Sequence, residues 1–475
     1  MSGDLHELSA ATQLTALRLG EVSSRELTVH YLERIEKLDG ELGAFATVTS
    51  ELALDEADRA DRRLAQGEWS PLLGLPLGIK DLYSTAGART TFGCAALAEF
   101  TPTADAWTVG LLRRAGAVLI GKTNTAEFGA TCYTENDVTG RPTVTPYDCM
   151  RYASGSSGGA AAAVAAGLLP LAHAGDGAGS TRTPAATCHL VGVKPSRGLV
   201  SAQATSFVST TVEGPIARMV EDAALLLDVM AQPQPGDLDG WRPEVRFVDA
   251  IKQWSTRPLR IAFWTEVGLA GRSPHPEAVH AVEWTAALLQ ELGHDVREVP
   301  IPARCDDPVS SALRTLFAAS VNAVASSLVP ADREGQLLPY TRYLTEEGEA
   351  LSGRDLVAAQ GVLAGYASAF LAALDGFDVA LTPVTTGPPV PLGHFQAEGF
   401  AAIADAMLAW SAYTPWANLT GQPAIALPSH VDRDGLPHGV QIVGRRRGDA
   451  ALFALAAQLE HADLWKDVHP PCWYQ

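Results

Sequence analysis

Residues 152–185 read YASGSSGGAAAAVAAGLLPLAHAGDGAGSTRTPA. The first half has the composition of a flexible linker, because glycine and serine resist fixed structure and alanine buries little surface. The surroundings contradict that reading: apolar, patterned sequence lies on both sides, and the segment carrying His173 reads as an apolar strand. A phosphate cradle needs a Lys-Ser/Thr pair behind its glycines so that the lysine reaches the phosphates. Here Gly158 and Gly159 are followed by four alanines, which argues against it.

Two other readings stay open on the residues alone. Gly155-Ser156-Ser157-Gly158-Gly159 matches G-x-S-x-G with Ser157 as nucleophile, and His430 or His438 would serve as its downstream base. That elbow wants a good strand in front of it, and MRYAS is a poor one. The second reading joins this stretch to GDGAGSTRTP. Ser180 follows Ser156 by twenty-four residues and stands directly behind Gly177, Ala178 and Gly179. Small residues there let backbone N–H groups turn toward one point, as an oxyanion hole requires. Serine is a weak nucleophile without a base. His173 reads as a core histidine, whereas Lys80 ends the apolar segment GLPLGIKDL behind Leu75, Leu77 and Ile79. Desolvation at such a position disfavours the charged amine, which is what a lysine base needs. The alternative for Lys80 is an ion-paired or snorkelling residue, and the pattern does not bring it to Ser156 or Ser180.

Outward from this core, apolar runs alternate with helical patterns. GLPLGIKDL, AVLIG, LRIAFWTE (259–266), DVREVPI (295–301), DVALTPV (378–384) and GVQIVG (439–444) read as strands. Helices are expected in VSSRELTVHYLERIEKL, with Ser23 or Ser24 as cap, and in SELALDEADRADRRLAQG, PEAVHAVEWTAALLQELG and DAALFALAAQLE. Continuous apolar strands suit a sheet covered on both faces, so the expected class is α/β. Residues 302–375 read as a helical layer covering a site and not as an independent domain, with RDLVAAQGVLAGYASAFLAAL its clearest helix. PQPGDLDGWRPE (233–244) reads as an exposed crossing, so 1–475 is expected to form one domain.

With 35 Lys+Arg against 54 Asp+Glu, the net charge of −19 disfavours nucleic acid as a partner. The six cysteines (94, 132, 149, 188, 305 and 472) show no paired spacing and read as reduced packing residues. MSGDLHELSAATQL lacks the charge-then-apolar order of a signal peptide, and the run AAAAVAAGLLPLAHAG is too short and broken to span a bilayer. A cytoplasmic protein without membrane association is the expectation.

These segments together resemble the amidase signature family of serine hydrolases. The likeness runs from GLPLGIKDL through LLRRAGAVLIGKTNTAEF, the quoted core with ATCHLVGVKPSRGLVS, and GPIARMVEDAALLLDVM, so that 60–230 is the signature core. It resumes in TPWANLTGQPAIALP and DGLPHGVQIVG. The resemblance implies a large twisted mixed sheet with helices on both faces and a Ser-cisSer-Lys triad. In it Ser180 is the nucleophile, Ser156 the bridging serine behind a cis peptide, and Lys80 the base. It further implies an oxyanion hole from the N–H groups of Gly177, Ala178, Gly179 and Ser180, an ion pair between Asp176 and Arg182, and a supporting hydrogen bond from Ser157. Gly155, Gly158 and Gly159 are expected to let the chain bend around Ser156, and the alanines to form a close-packed helix beneath it. AHAGDGAGS looks most like cyclic nylon-dimer hydrolases and related bacterial amidases and urethanases. Thr145-Pro146-Tyr147-Asp148 and Cys188-His189-Leu190 depart from the usual pattern and unsettle the pocket but not the triad.

The function expected from the resemblance is hydrolysis of C–N acyl bonds, amide or carbamate, in small to medium and rather apolar substrates. Cys132, Tyr133, Ser206 and Phe207 are candidate pocket walls. No cofactor, no metal and no macromolecular partner is expected, beyond a monomer or homodimer. The competing readings are a glutamine-dependent amidotransferase subunit working in a complex, an esterase using Ser157, and a binding protein with a dead site. The last is disfavoured because every triad position is filled.

Overall fold

Apolar runs become strands where a sheet needs cover on both faces, and neighbouring residues of such a strand enter different cores. The computed structural model describes residues 4–201, 210–253, 257–396, 399–463 and 465–475. Its strands are β1 (Phe45–Val48), β2 (Pro76–Lys80), β3 (Val118–Thr123), β4 (Glu135–Asn136), β5 (Arg141–Pro142), β6 (Val144–Thr145), β7 (Asp148–Tyr152) and β8 (Leu171–Asp176). There follow β9 (Val191–Lys194), β10 (Val212–Ala217), β11 (Arg260–Phe263), β12 (Asp295–Glu298), β13 (Val379–Pro383), β14 (Ala424–Val431) and β15 (Pro437–Gly444). Among the described residues eleven strands form one mixed sheet, ordered β1-β3-β2-β8-β10-β9-β14-β15-β13-β11-β12. The pairs β4–β5 and β6–β7 are two small antiparallel ribbons.

Both faces are covered. Ile261, Leu381, Ile425 and Ile442 belong to the main core, whereas the adjacent Ala262, Ala380, Ala424 and Val443 belong to a second one with Trp264, Phe370 and Trp416. The fold is therefore the α/β class with helices on both sides of a mixed sheet. The alanine run forms the helix Gly158–Ala165, every residue of which is buried, packed against β2, β3, β8 and β10. Methyl-sized side chains allow that close approach.

The expected helices form at Ser24–Leu42, Ser50–Ala65, Pro276–Glu291 and Asp449–Ala462. Ser23 caps the first in a capping box with Glu26, satisfying two donors of the helix start. The region 302–375 contains helices Asp307–Leu328, Pro339–Ala350 and Gly353–Ala373. Among the described residues Gly353–Ala373, and not the alanine run, is the helix long and apolar enough to cross a membrane by length and composition. Its Leu363, Tyr366 and Phe370 pack into the second core. Residues 233–244 cross the surface without regular structure but are tied down, Trp241 donating Nε1–H to the Arg197 carbonyl.

Candidate active site

β2 and β8 are parallel neighbours, with Ile79 opposite His173. Their C-terminal ends, Lys80 and Asp176, therefore leave the sheet at the same edge. Ends of parallel strands are where α/β sheets place reacting groups. The serine-glycine stretch returns to that edge from β7 as the entry to helix Gly158–Ala165. The Gly155–Ser156 peptide is cis. The bend in this stretch lies at Ser154, whose φ of 65° puts a non-glycine residue in the left-handed region. The glycines are needed for a different reason than flexibility. A Cβ on Gly155 would come within 2.7 Å of the Tyr133 backbone, and one on Gly159 would overlap Asn124 N and the Ala44 carbonyl.

Lys80 Nζ stands 2.7 Å from Ser156 Oγ and donates to the Gly175 carbonyl at 3.1 Å. Both side chains are buried. Burial pushes the Lys80 amine down to about 7, against the opposing pull of the Asp176 carboxylate. A neutral amine at this distance can accept the Ser156 proton. Ser157 is also buried; its Oγ lies 3.2 Å from the Gly175 carbonyl, and its N–H donates to the Ser180 carbonyl at 3.2 Å. Ser180 differs from both, lining a cavity of about 400 Å³ that neither Ser156 nor Ser157 reaches.

The loop carrying Ser180 is wound around Asp176. One carboxylate oxygen accepts from Gly179 N–H at 2.7 Å, Arg182 Nη2 at 2.9 Å and Asn418 Nδ2 at 2.9 Å. The other accepts from Arg182 Nε at 2.9 Å and Thr181 N–H at 3.2 Å. Burial alone would raise this carboxyl, but the Arg182 guanidinium and the hydrogen bonds from Arg182 and Asn418 hold it far below the usual range. Arg182 is fully buried and also donates to Gln441 Oε1 and the Thr414 carbonyl. One element of the expected oxyanion hole is corrected here. The single N–H of Gly179 is already spent on Asp176. The N–H groups of Gly177, Ala178 and Ser180 meet no acceptor among the described residues.

Of the expected pocket walls, Cys132 lines the cavity. Tyr133 does not; its ring stacks on Phe395 at 5.0 Å and leans on Tyr152. Ser206 and Phe207 lie outside the described residues. The far wall comes from the helical region, with Leu313, Phe317, Tyr340 and Tyr343 facing Met407 and Leu408 of helix Phe400–Trp410. Among the described lining residues charge enters only through Arg314, Glu347 and Asp405, and Arg314 Nη1 is paired with Asp405 at 2.6 Å.

The histidines weighed from sequence stand elsewhere. His173 is buried in β8, 2.7 Å from Glu213 Oε2. His430 and His438 pair with Glu277 and Asp432 and do not line the cavity. Among the described residues no group of three or more His, Cys, Asp or Glu side chains is placed to hold a metal ion. Sequence reasoning missed Asn418, Gln441 and Thr414, which hold the Ser180 loop from more than two hundred residues away. The signal was present, since they lie in TPWANLTG and HGVQIVG, whose likeness to the family had no assigned role.

A family profile described as Amidase matches residues 26–453. The chain is 39% identical to a putative amidase, AmiB2, of Mycobacterium tuberculosis, over 98% of each chain. It is 34% identical to an acylamidase of Rhodococcus erythropolis, over 98% of each. A glutamyl-tRNA(Gln) amidotransferase subunit from Desulforapulum autotrophicum is 33% identical over 96% of this chain and 97% of its own. Among solved structures, 6-aminohexanoate cyclic dimer hydrolase in complex with substrate superposes with a TM-score of 0.89. Its sequence is 28% identical, and the match covers 99% of this chain and 100% of that one.

Proposed function

Because the chain belongs to the amidase family and is an amidohydrolase, we propose that it hydrolyses amide or carbamate C–N bonds through an acyl-enzyme on Ser180. One observation carries this reading: Lys80 and Ser156 form a buried 2.7 Å pair, while Ser180 alone of the three motif serines lines the cavity. Neutral Lys80 takes the Ser156 proton as Ser156 takes that of Ser180. Ser180 Oγ bonds to the carbonyl carbon, the C–N bond breaks, and the relay returns the proton to the departing amine. Water then attacks the acyl-enzyme by the same relay, releasing the acid and restoring Ser180. The helical region 302–375 acts as the cover of this site within a single unit, and the protein works in the cytoplasm as a monomer or homodimer.

The wall of Leu313, Phe317, Tyr340, Tyr343, Met407 and Leu408 supports rather apolar substrates of small to medium size. Glu347 and Asp405 outnumber Arg314, so a substrate bearing a free carboxylate at this wall meets net repulsion. For a matched pair of anilides differing only in a terminal carboxylate or its primary amide, kcat/KM is expected to favour the neutral partner by about tenfold, or about 1.4 kcal/mol. Equal rates, or preference for the acid, would count against a pocket read this way.

Ser157 is assigned a supporting role through Gly175 and Ser180. Ser157→Ala removes a hydroxyl hydrogen bond worth about 1 kcal/mol. Activity should therefore fall by about fivefold and stay measurable. A dead Ser157→Ala beside an active Ser180→Ala would instead favour the elbow reading. The amidotransferase alternative predicts a purified chain inactive on simple amides. Assaying the isolated protein on aryl amides, linear and cyclic oligoamides and small dicarbamates separates the two and identifies the substrate class.

A further inference from the structure

We infer that Thr414 is a positioning residue for the oxyanion loop: its hydroxyl pins the Ala178–Gly179 peptide so that the flanking N–H groups stay turned to the cavity. The inference rests on Ser180 as the nucleophile.

A trans peptide is a plane whose C=O and N–H point in opposite directions. In the Ala178–Gly179 plane both ends are held. The Ala178 carbonyl accepts from Thr414 Oγ1 at 2.6 Å, and the Gly179 N–H donates to Asp176 Oδ1 at 2.7 Å. The next plane is fixed separately, since the Gly179 carbonyl accepts from Thr183 N–H at 2.8 Å and from Thr183 Oγ1 at 3.0 Å. The N–H groups of this loop that meet no acceptor among the described residues are those of Gly177, Ala178 and Ser180, and the last two residues line the cavity. They can serve an oxyanion only while the planes between them hold still.

Thr414 is fully buried and stands just before helix Pro415–Thr420. Its hydroxyl also lies 3.0 Å from the Ser411 carbonyl, but the 2.6 Å contact to the Ala178 carbonyl is the shorter and is the one that takes the hydroxyl proton. Thr414 is held in turn by Arg182, whose Nη1 donates to its carbonyl at 3.0 Å. The fit against the loop is close: a Cβ on Gly179, whose φ is 133°, would overlap Thr414 Oγ1 and lie 2.8 Å from Thr414 Cβ. Asp176 fixes one end of the peptide and Thr414 the other, and Arg182 ties the two anchors together. Without the hydroxyl, the Ala178 carbonyl loses the donor that holds it. The Ala178–Gly179 plane is then free to turn, drawing the Gly179 N–H off Asp176 and shifting the N–H groups of Ala178 and Ser180 on either side of it.

The test compares Thr414→Ala, which loses the hydroxyl and the methyl, with Thr414→Ser, which loses only the methyl. Direct removal of an oxyanion donor costs about 100- to 1,000-fold in kcat; loss of a donor's anchor should cost less, about thirtyfold. Thr414→Ala is expected to show that fall with KM within about twofold of wild type, and Thr414→Ser to recover most of it. On a Ser180→Ala background, the dissociation constant of intact substrate should be the same with Thr414 or Ala at this position, because the effect lies in the transition state. If Thr414→Ala does not fold, Thr414→Cys takes its place in the comparison with Thr414→Ser, a thiol being a poor donor of similar size. The inference is overturned if the hydroxyl-free variant keeps kcat within about threefold of wild type, if the loss falls on KM, or if Thr414→Ser is equally impaired. An active Ser180→Ala would instead overturn the acyl-enzyme reading itself, which keeps the two failures distinguishable.

Discussion

Ser180→Ala is expected to lower kcat by about five orders of magnitude or more, with substrate affinity unchanged. The expectation follows from access. Ser156 and Ser157 are buried with Lys80, so of the three motif serines only Ser180 brings its hydroxyl to the cavity. Its loop is held by the Asp176–Arg182 pair, the Thr183 bonds and Asn418. Alanine at 180 disturbs none of these, because none of them uses the Ser180 side chain. A small rate above the uncatalysed reaction should survive from the intact N–H donors. A chromogenic anilide or carbamate reads the turnover, and mass spectrometry of enzyme trapped with a slowly hydrolysed carbamate reads the acylated residue. The adduct should map to the peptide containing Ser180 and vanish in the variant. Turnover within tenfold of wild type, or an adduct on Ser156 or Ser157, would remove Ser180 from the role.

Legibility in the sequence followed the range of the forces involved. β2 and β3 could be read because a strand buried on both faces must be continuously apolar. The helices Ser24–Leu42 and Pro276–Glu291 could be read because a cap and a 3.6-residue period are local. β9 and β10 escaped the pattern: VGVK is four residues long, and VEGPIA carries a glycine and a proline inside the strand. Tertiary pairing makes strands of them, Gly214 opposite Ala174 and Ile216 opposite Gly192. The site divided in the same way. Residues alone pointed to a buried lysine and two serines but left them unjoined. The parallel pairing of β2 with β8 brings Lys80 beside Gly175, and the return of the serine-glycine stretch from β7 to the same edge brings Ser156 to it. The turning away of Tyr133 had no local signal, since its partner Phe395 is distant in sequence; the bond from Gly179 N–H to Asp176 spans only three residues, but nothing in the composition of GDGAGS marks which N–H the carboxylate takes. Nor did the cavity wall, where Arg314 meets Asp405 across ninety residues of chain.

Lys80 offers the second large effect, with a pH signature that separates a base from a structural cation. Burial pushes its amine from the ordinary lysine range to about 7. Below that value the amine is protonated and has no lone pair for the Ser156 proton. kcat/KM should therefore fall by about tenfold per pH unit on the acid side of 7 and level off above it. The limb alone does not identify the residue, because burial also pushes Lys194 down to about 7. Lys194 donates to the Pro195 carbonyl and does not line the cavity. Lys80→Met keeps the length of the side chain without the amine. It should lower kcat by about three orders of magnitude or more and abolish the limb, so that the remaining activity is flat from pH 6 to 9. Lys80→Arg tests the competing role: a permanent cation would retain electrostatic support but cannot serve as the base, so it too should be nearly inactive. An active Lys80→Arg, or a limb near 7 persisting in Lys80→Met, would reassign Lys80 to holding Ser156 and move the titration to Lys194. With Lys80 as the base, the burial that makes helix Gly158–Ala165 and β2 a close-packed core also sets the proton affinity of the catalytic amine.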